Sequence, residues 1–362
     1  MAITAQAVKE LRELSGAGMM DCKKALTETN GDMDAAFEYL RKSGIAKAEK
    51  KAARIAAEGI CRVAKEGDNK AVVVEVNSET DFVAKNELFQ NYVQEVANQA
   101  LVTKACDAEG MLEDAWLADT TKTVKDVLVE KTSTIGEKLS IRRFAKVEGD
   151  CVTSYIHGGG KIGVLVVGNG AGTDDSVKEC LANIAMQVAA MKPKYISKND
   201  ISADELAKIR EITIDSSVNE PFTLPKPLLQ KLFNRAVGEK KWNDADIAAY
   251  EENKNNKFLV NFLSDEAKAT LIALANEEKE SIVADKIFAG LVDGRVSKQL
   301  KEIVLLDQAY VKAEDGKQTV ENYVASVSKS LKIANFVRFE VGEGMEKKSE
   351  NFAEEVAKQM GM

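Results

Sequence analysis

One histidine, four prolines and five cysteines in 362 residues leave little for several kinds of chemistry. A serine or cysteine triad needs a histidine base, and His157 would have to serve every such role alone. No G-x-S-x-G, H-E-x-x-H or G-x-x-x-x-G-K-[ST] occurs, and no pair of carboxylates or lysines stands at a diagnostic spacing. The cysteines (Cys22, Cys61, Cys106, Cys151, Cys180) are scattered, odd in number and never spaced C-x-x-C. That pattern gives no disulfide framework or zinc site and fits a reducing, cytoplasmic setting. No apolar run approaches the ~18 residues that span a bilayer, and the opening MAITAQAVKELREL is charged and amphipathic, unlike a signal peptide. A basic excess is lacking too: the net charge of −8 argues against a dedicated nucleic-acid binder. No catalytic residue, metal ligand or cofactor is therefore assigned.

What is present is the material of a soluble globular protein, 45% hydrophobic and 30% charged, rich in helix formers and long enough for two or three domains. Residues 1–44 read as three short helices. Thr4 caps the first, with Val8, Leu11 and Leu14 on one stripe; the second carries Cys22, Ala25 and Leu26; the third starts at Asp32 and Asp34, buries Ala36, Phe37 and Leu40, and ends at Gly44. The loop GAGMM (16–20) carries Met19 and Met20, which read equally as core or as an adaptable contact surface. IAKAEKKAARIAA (45–57) is a basic helical connector whose charges read as a solvated face.

The middle of the chain repeats itself. A shift of 92 positions lays AVVVEVNSETDFVAKNELFQNYVQEVANQAL (71–101) on GVLVVGNGAGTDDSVKECLANIAMQVAAMKP (163–193) without a gap. Val72, Val73 and Val74 fall on Val164, Leu165 and Val166, and the helical set Leu88, Phe89, Tyr92, Val93, Val96 falls on Cys180, Leu181, Ile184, Ala185, Val188. Short strands precede each copy (60–67 and 152–159), and a third follows at a distance (142–150 and 337–345), where Arg143-Phe144 mirrors Arg338-Phe339. Two related α+β units with small antiparallel sheets are expected, each interrupted by a helical insertion, 102–139 in the first and roughly 194–334 in the second. The second insertion opens with Pro221, Pro225 and Pro227 and continues in charged helical patterns suited to a hairpin or coiled-coil-like protrusion. A final helix is expected at 349–360.

Within the first repeat, ETDFVAKNEL (79–88) sets Phe82 among charged residues at a strand-to-helix corner. It is either a core residue of that corner or an apolar probe. The second copy has Gly172-Thr173-Asp174-Asp175 in place of Thr80-Asp81-Phe82-Val83, so the scaffold closes there without an aromatic, which argues for the probe. HGGG (157–160) lacks the nucleophile an oxyanion loop would serve, and GNGAG (168–172) fails the dinucleotide spacing.

Four ordered segments carry a resemblance: ELRELSGAGMMDCKKALTETNGDMDAAFEYLRKSG, VNSETDFVAKNELF, SYIHGGGKIGVLV and FVRFEVGEGMEKKSENFAEEVA. Together they resemble elongation factor Ts, the guanine-nucleotide exchange factor for elongation factor Tu, over residues 1 to about 212 and about 279 to 362. Residues 215–278 depart from the family as an extra segment. The resemblance implies an α+β protein that makes no covalent change. Its parts would be a ubiquitin-associated-like docking module with its connector (1–55), a first core unit (56–150), a second (151–198 with 331–362), and a helical protrusion (199–330). It implies elongation factor Tu as partner, GDP-bound and then nucleotide-free, with no nucleic acid and no membrane; a homodimer or 2:2 complex is left open. Thr80, Asp81, Phe82 and Val83 would intrude on the partner and dislodge its magnesium, with Met19, Met20 and His157 as further contacts and the C-terminal helix touching elsewhere. A multidomain adaptor or chaperone-like binder is the alternative.

Overall fold

The computed structural model describes residues 3–15, 17–256 and 258–346; the expected C-terminal helix at 349–360 lies outside them. The chain divides into two compact units, Met1–Lys192 with Tyr310–Met362, and Pro193–Ala309.

The first unit opens with α1 (Ala5–Ser15), α2 (Met19–Glu28) and α3 (Met33–Lys51). Val8, Leu11, Cys22, Ala25, Leu26 and Ala36 form their small core, with Phe37 and Leu40 half-buried against it. Leu14, expected on the same stripe, is 70% exposed. Each three-residue step falls about 60° short of a full turn, so two steps carry position 14 about 120° away from position 8. Asp32 caps α3 by accepting from Ala35 N at 2.9 Å. The helix does not stop at Gly44 as expected but runs through the connector to Lys51. Gly44 is buried within it, and a Cβ there would sit 3.6 Å from Ser133, on the helix against which α3 packs.

The repeat becomes two three-stranded antiparallel sheets. β1 (Glu58–Glu66), β2 (Lys70–Ser78) and, later, β5 (Ser140–Glu148) form the first in the order β1-β2-β5. Between β2 and β5 the chain forms α4 (Asp81–Ala84), α5 (Glu87–Val102), α6 (Ala108–Met111), the hairpin β3 (Ala115–Trp116) with β4 (Asp119–Thr123), and α7 (Val124–Ile135). The second sheet, β6-β7-β8, is built from β6 (Cys151–His157), β7 (Ile162–Asn169) and the distant β8 (Lys332–Glu340), with α8 (Asp175–Met191) after β7. α5 packs on β1 and β2, and α8 on β6 and β7. The two sheets face each other through Cys61, Val73, Val147, Val152, Leu165, Val167 and Phe339. Both faces of β2 are therefore covered, which is why it reads as an unbroken apolar run rather than an alternating one. The sheets approach closely at Gly163, where a Cβ would meet Cys61 and Val73 at 2.8 Å.

The mirrored Arg-Phe dipeptides do not occupy equivalent places. Arg143 pairs with Glu75 of β2, whereas Arg338 pairs with Val164, the counterpart of Val72. Across the sheets, the Arg143 guanidinium instead lies 4.2 Å from the Phe339 ring centroid. Glu75 is wholly buried yet charged, accepting from Arg143 Nε at 2.6 Å, Arg142 Nη1 at 2.8 Å and Gly342 N at 2.9 Å. Burial pushes its carboxyl up, but these donors outweigh burial and hold it below the ordinary glutamate value. On β8, Glu340 is brought down to about 2 by Lys192 at 2.6 Å and Arg338 at 2.8 Å.

Both groups have folded-state values below their unfolded ones. Their stabilisation is fully present above the ordinary value of 4.5 and is lost as pH falls, for Glu340 down to about 2. The urea midpoint is expected to stay level from neutral pH to about 5 and to drop below it. Glu340→Gln should flatten part of that drop; a midpoint equally steep in the variant contradicts the assignment.

The second unit is helical: α9 (Ala203–Asn219), α10 (Lys226–Gly238), α11 (Asp244–Asn253), α12 (Asp265–Glu277), α13 (Lys279–Val283) and α14 (Lys286–Ile303). Pro221 follows the end of α9, and Pro225 and Pro227 open α10, where a missing amide costs nothing. Phe233, Trp242 and Tyr250 meet at centroid distances of 5.1–5.9 Å, and Trp242 Nε1 donates to Ala267 O at 3.0 Å. These three aromatics all fall within 215–278, so that segment supplies much of the unit's own core. Residues 310–330 leave this unit. Tyr310 stacks on Tyr323 of α15 (Val320–Val327), and α15 packs on α8.

Candidate functional site

β2 ends at Ser78, and the next two residues leave the sheet without a ladder partner. Their amides are taken up by a single carboxylate, Glu137, just past the end of α7. Its Oε2 accepts from Glu79 N at 3.1 Å and Thr80 N at 3.0 Å, and its Oε1 accepts from the Thr80 hydroxyl at 2.6 Å. Thr80 caps α4, with Oγ1 accepting from Val83 N at 3.4 Å. Ser78 Oγ donates to Thr80 O at 3.0 Å.

α4 is one turn long because a second cap follows at once: Asn86 Oδ1 accepts from Leu88 N at 2.8 Å and starts α5. Val83 and Ala84 face the core of the first sheet and α5. At 100° per residue, that leaves Asp81 and Phe82 on the outward side. Phe82 is 80% exposed, more than any other large apolar side chain described. Asp81 pairs with Lys85 at 2.6 Å, and the hydrogen bond from Lys85, with help from Lys161, lowers its carboxyl below the usual range. Lys85 Nζ also lies 5.9 Å from the Phe82 ring centroid. Leu88, expected on the buried stripe, sits in the first turn of α5 and is exposed. The corner thus presents an exposed aromatic, the exposed Leu88 at the start of α5 and a charged pair.

The second copy closes differently. Asp174, the counterpart of Phe82, is itself the cap of α8, accepting from Val177 N at 3.0 Å. The helix begins directly, with no extra turn and nothing apolar thrust outward. An aromatic is not a requirement of this corner.

Of the other expected contacts, Met19 and Met20 lie in the first turn of α2 rather than in a loop, and both are exposed, at 59% and 74%. They are not core. His157 ends β6, exposed, with Nδ1 2.9 Å from the Tyr155 hydroxyl. Gly158, Gly159 and Gly160 after it all have positive φ (59°, 68° and 110°), and a Cβ on Gly160 would strike Ile60 at 2.9 Å. The HGGG run is therefore a backbone turn against β1, which also carries α4 on it. Among the described residues no three His, Cys, Asp or Glu side chains gather as metal ligands. No helix among them is long and apolar enough to cross a membrane.

The family model of elongation factor TS matches residues 79–343, well over half of the chain. The chain belongs to the elongation factor Ts family. It is a factor of translation elongation, and the matched stretch begins at Glu79, where the exposed turn begins, and closes just past β8. The family match leaves Met19 and Met20 outside it and holds Phe82 and His157 within it. Glu137, which ties down the turn of this elongation factor Ts member, gave no sign in the sequence. It lies 57 positions from Thr80 and has the composition of any surface glutamate.

Proposed function

We propose that this elongation factor Ts family member binds elongation factor Tu carrying GDP and drives the nucleotide out, without making or breaking a covalent bond. The single observation that carries the reading is Phe82, thrust 80% into solvent on a turn anchored behind it by Thr80 and Val83. An isolated exposed phenylalanine on a rigid support has the form of a binding anchor rather than a core residue. Asp81 beside it supplies a carboxylate able to compete for the shell of a magnesium ion held by the partner. Met19, Met20 and His157 serve as further contacts.

The thermodynamics are those of reciprocal coupling: a factor that binds the distorted, empty partner more tightly than the loaded one weakens nucleotide by the same ratio. A ~1,000-fold faster release needs about 4 kcal/mol of differential binding in the release transition state. One buried aromatic anchor contributes about 2–4 kcal/mol, so Phe82 supplies a large share of that.

Mixing the protein with elongation factor Tu·GDP and separating the mixture by gel filtration checks the end state. A complex containing both proteins and no GDP is expected, which excess GDP or GTP then separates. Recovery of elongation factor Tu still loaded with GDP, unassociated, contradicts the proposal.

A further inference from the structure

We infer that Glu137 is the positioning residue of the exposed turn: it sets where Phe82 is presented, and the exchange activity proposed above depends on it. The inference rests on that exchange reading. Three hydrogen bonds converge on this one carboxylate, from both orphaned amides after β2 and from the Thr80 hydroxyl that caps α4. Buried or half-buried amides without a partner are costly, so the chain at 79–80 follows the carboxylate wherever it is held. The carboxylate is itself held. Gly136 closes α7 in the left-handed conformation (φ 88°), and Leu139 is buried in the core of the first sheet, so Glu137 lies between two fixed points.

The neighbouring residue reinforces the same junction. Lys138 N donates to Glu79 Oε1 at 2.6 Å, and Lys138 Nζ donates to Ala52 O at 2.7 Å and Arg54 O at 2.8 Å. Arg54 Nη1 reaches Glu79 Oε1 at 3.2 Å. The dipeptide Glu137-Lys138 thereby fastens both the probe turn and the chain leaving α3. Thr80, though, touches Glu137 and not Lys138, and Thr80 is the cap from which Phe82 is measured, two residues on. Glu137 touches no nucleotide and no reacting atom; it acts through the geometry of the turn.

The experiment follows release of a fluorescent GDP from elongation factor Tu at rising concentrations of wild type, Glu137→Ala, Glu137→Gln, Phe82→Ala and the Glu137→Ala/Phe82→Ala double variant. Misplacing a contact group by about 1 Å can cost ~100-fold, so Glu137→Ala is expected to lower the saturating rate about 10- to 100-fold. Half-saturation should stay within about threefold, because the remaining contact surface is intact. Glu137→Gln keeps an oxygen for the two amides and should return the rate to within about threefold of wild type. In the Phe82→Ala background, Glu137→Ala should add less than about twofold, since both changes remove one shared event. Additive losses in the double variant, or a Glu137→Ala rate equal to wild type while Phe82→Ala is slow, overturn the inference and leave the exchange reading standing. If Phe82→Ala releases GDP as fast as an active wild type, Phe82 is not the anchor and the inference falls while exchange stands. If wild type itself leaves release unchanged, the exchange reading has failed and the inference goes with it. Should Glu137→Ala melt below assay temperature, Glu137→Asp decides in its place. It keeps the charge but withdraws it by one methylene; a slowed rate supports the inference and a wild-type rate overturns it.

Discussion

Phe82→Ala is expected to slow GDP release from elongation factor Tu by about 30- to 1,000-fold at saturating factor, corresponding to the 2–4 kcal/mol of a buried aromatic anchor. The same substitution should leave the stability of the chain within about 1 kcal/mol of wild type. The two halves of this expectation come from one fact. A side chain 80% exposed has little contact to lose in the folded protein, so nearly all its value lies in what it meets on a partner. Among the described residues the Lys85 ammonium lies 5.9 Å from its ring centroid, a weak exposed cation–π contact worth at most about 1 kcal/mol. Parallel stopped-flow and thermal melting measurements check it. A large fall in melting temperature would return Phe82 to the role of a packing residue, and unchanged release would remove it as the anchor.

Glu75→Ala is expected to be the most destabilising single change at the junction of the two sheets, by about 3 kcal/mol. The carboxylate is wholly buried and serves four donors, Arg142, Arg143, Asn77 Nδ2 and Gly342 N, so its loss removes an acceptor from each of them. The value sits at the low end of the usual range for breaking such a pair because Arg142 and Arg143 are 23% and 30% exposed and recover some water. Each unit carries one buried tryptophan, Trp116 in the first and Trp242 in the second. In a Trp242→Phe background, fluorescence therefore reports unfolding of the first unit alone, which avoids forcing a two-unit chain into a single transition. A shift of under about 1 kcal/mol for Glu75→Ala in that background contradicts the role assigned to the network.

Local patterns made much of this fold legible. The 92-residue self-match, the valine runs and the helical period of Phe89, Tyr92, Val93 and Val96 depend on neighbours a few positions apart, and both antiparallel sheets formed where those patterns lay. The departures arise where distant partners decide. α3 runs on past Gly44 because that position lies against Ser133 of α7, a contact invisible to local periodicity. The Arg143 and Arg338 dipeptides look equivalent in sequence, yet Arg143 pairs with Glu75 while Val167, the counterpart of Glu75, pairs with Asn335. The bulges fall at equivalent places in the two sheets, so the final strands are offset by three residues that no local pattern marks. At the candidate site, Phe82 could be singled out because the repeat offers an internal control at Asp174. Glu137 could not, since hydrogen bonds across 57 residues leave no periodic trace.

On the proposed function, a turn with no chemistry of its own expels a nucleotide held by another protein. The most direct test is the rate at which fluorescent GDP leaves elongation factor Tu as wild-type protein is titrated in, with excess unlabelled GDP as trap. A saturable acceleration, by about 1,000-fold if the differential binding reaches 4 kcal/mol, and a much lower plateau for Phe82→Ala are expected. A release rate that stays flat at every concentration of the wild-type protein contradicts the claim.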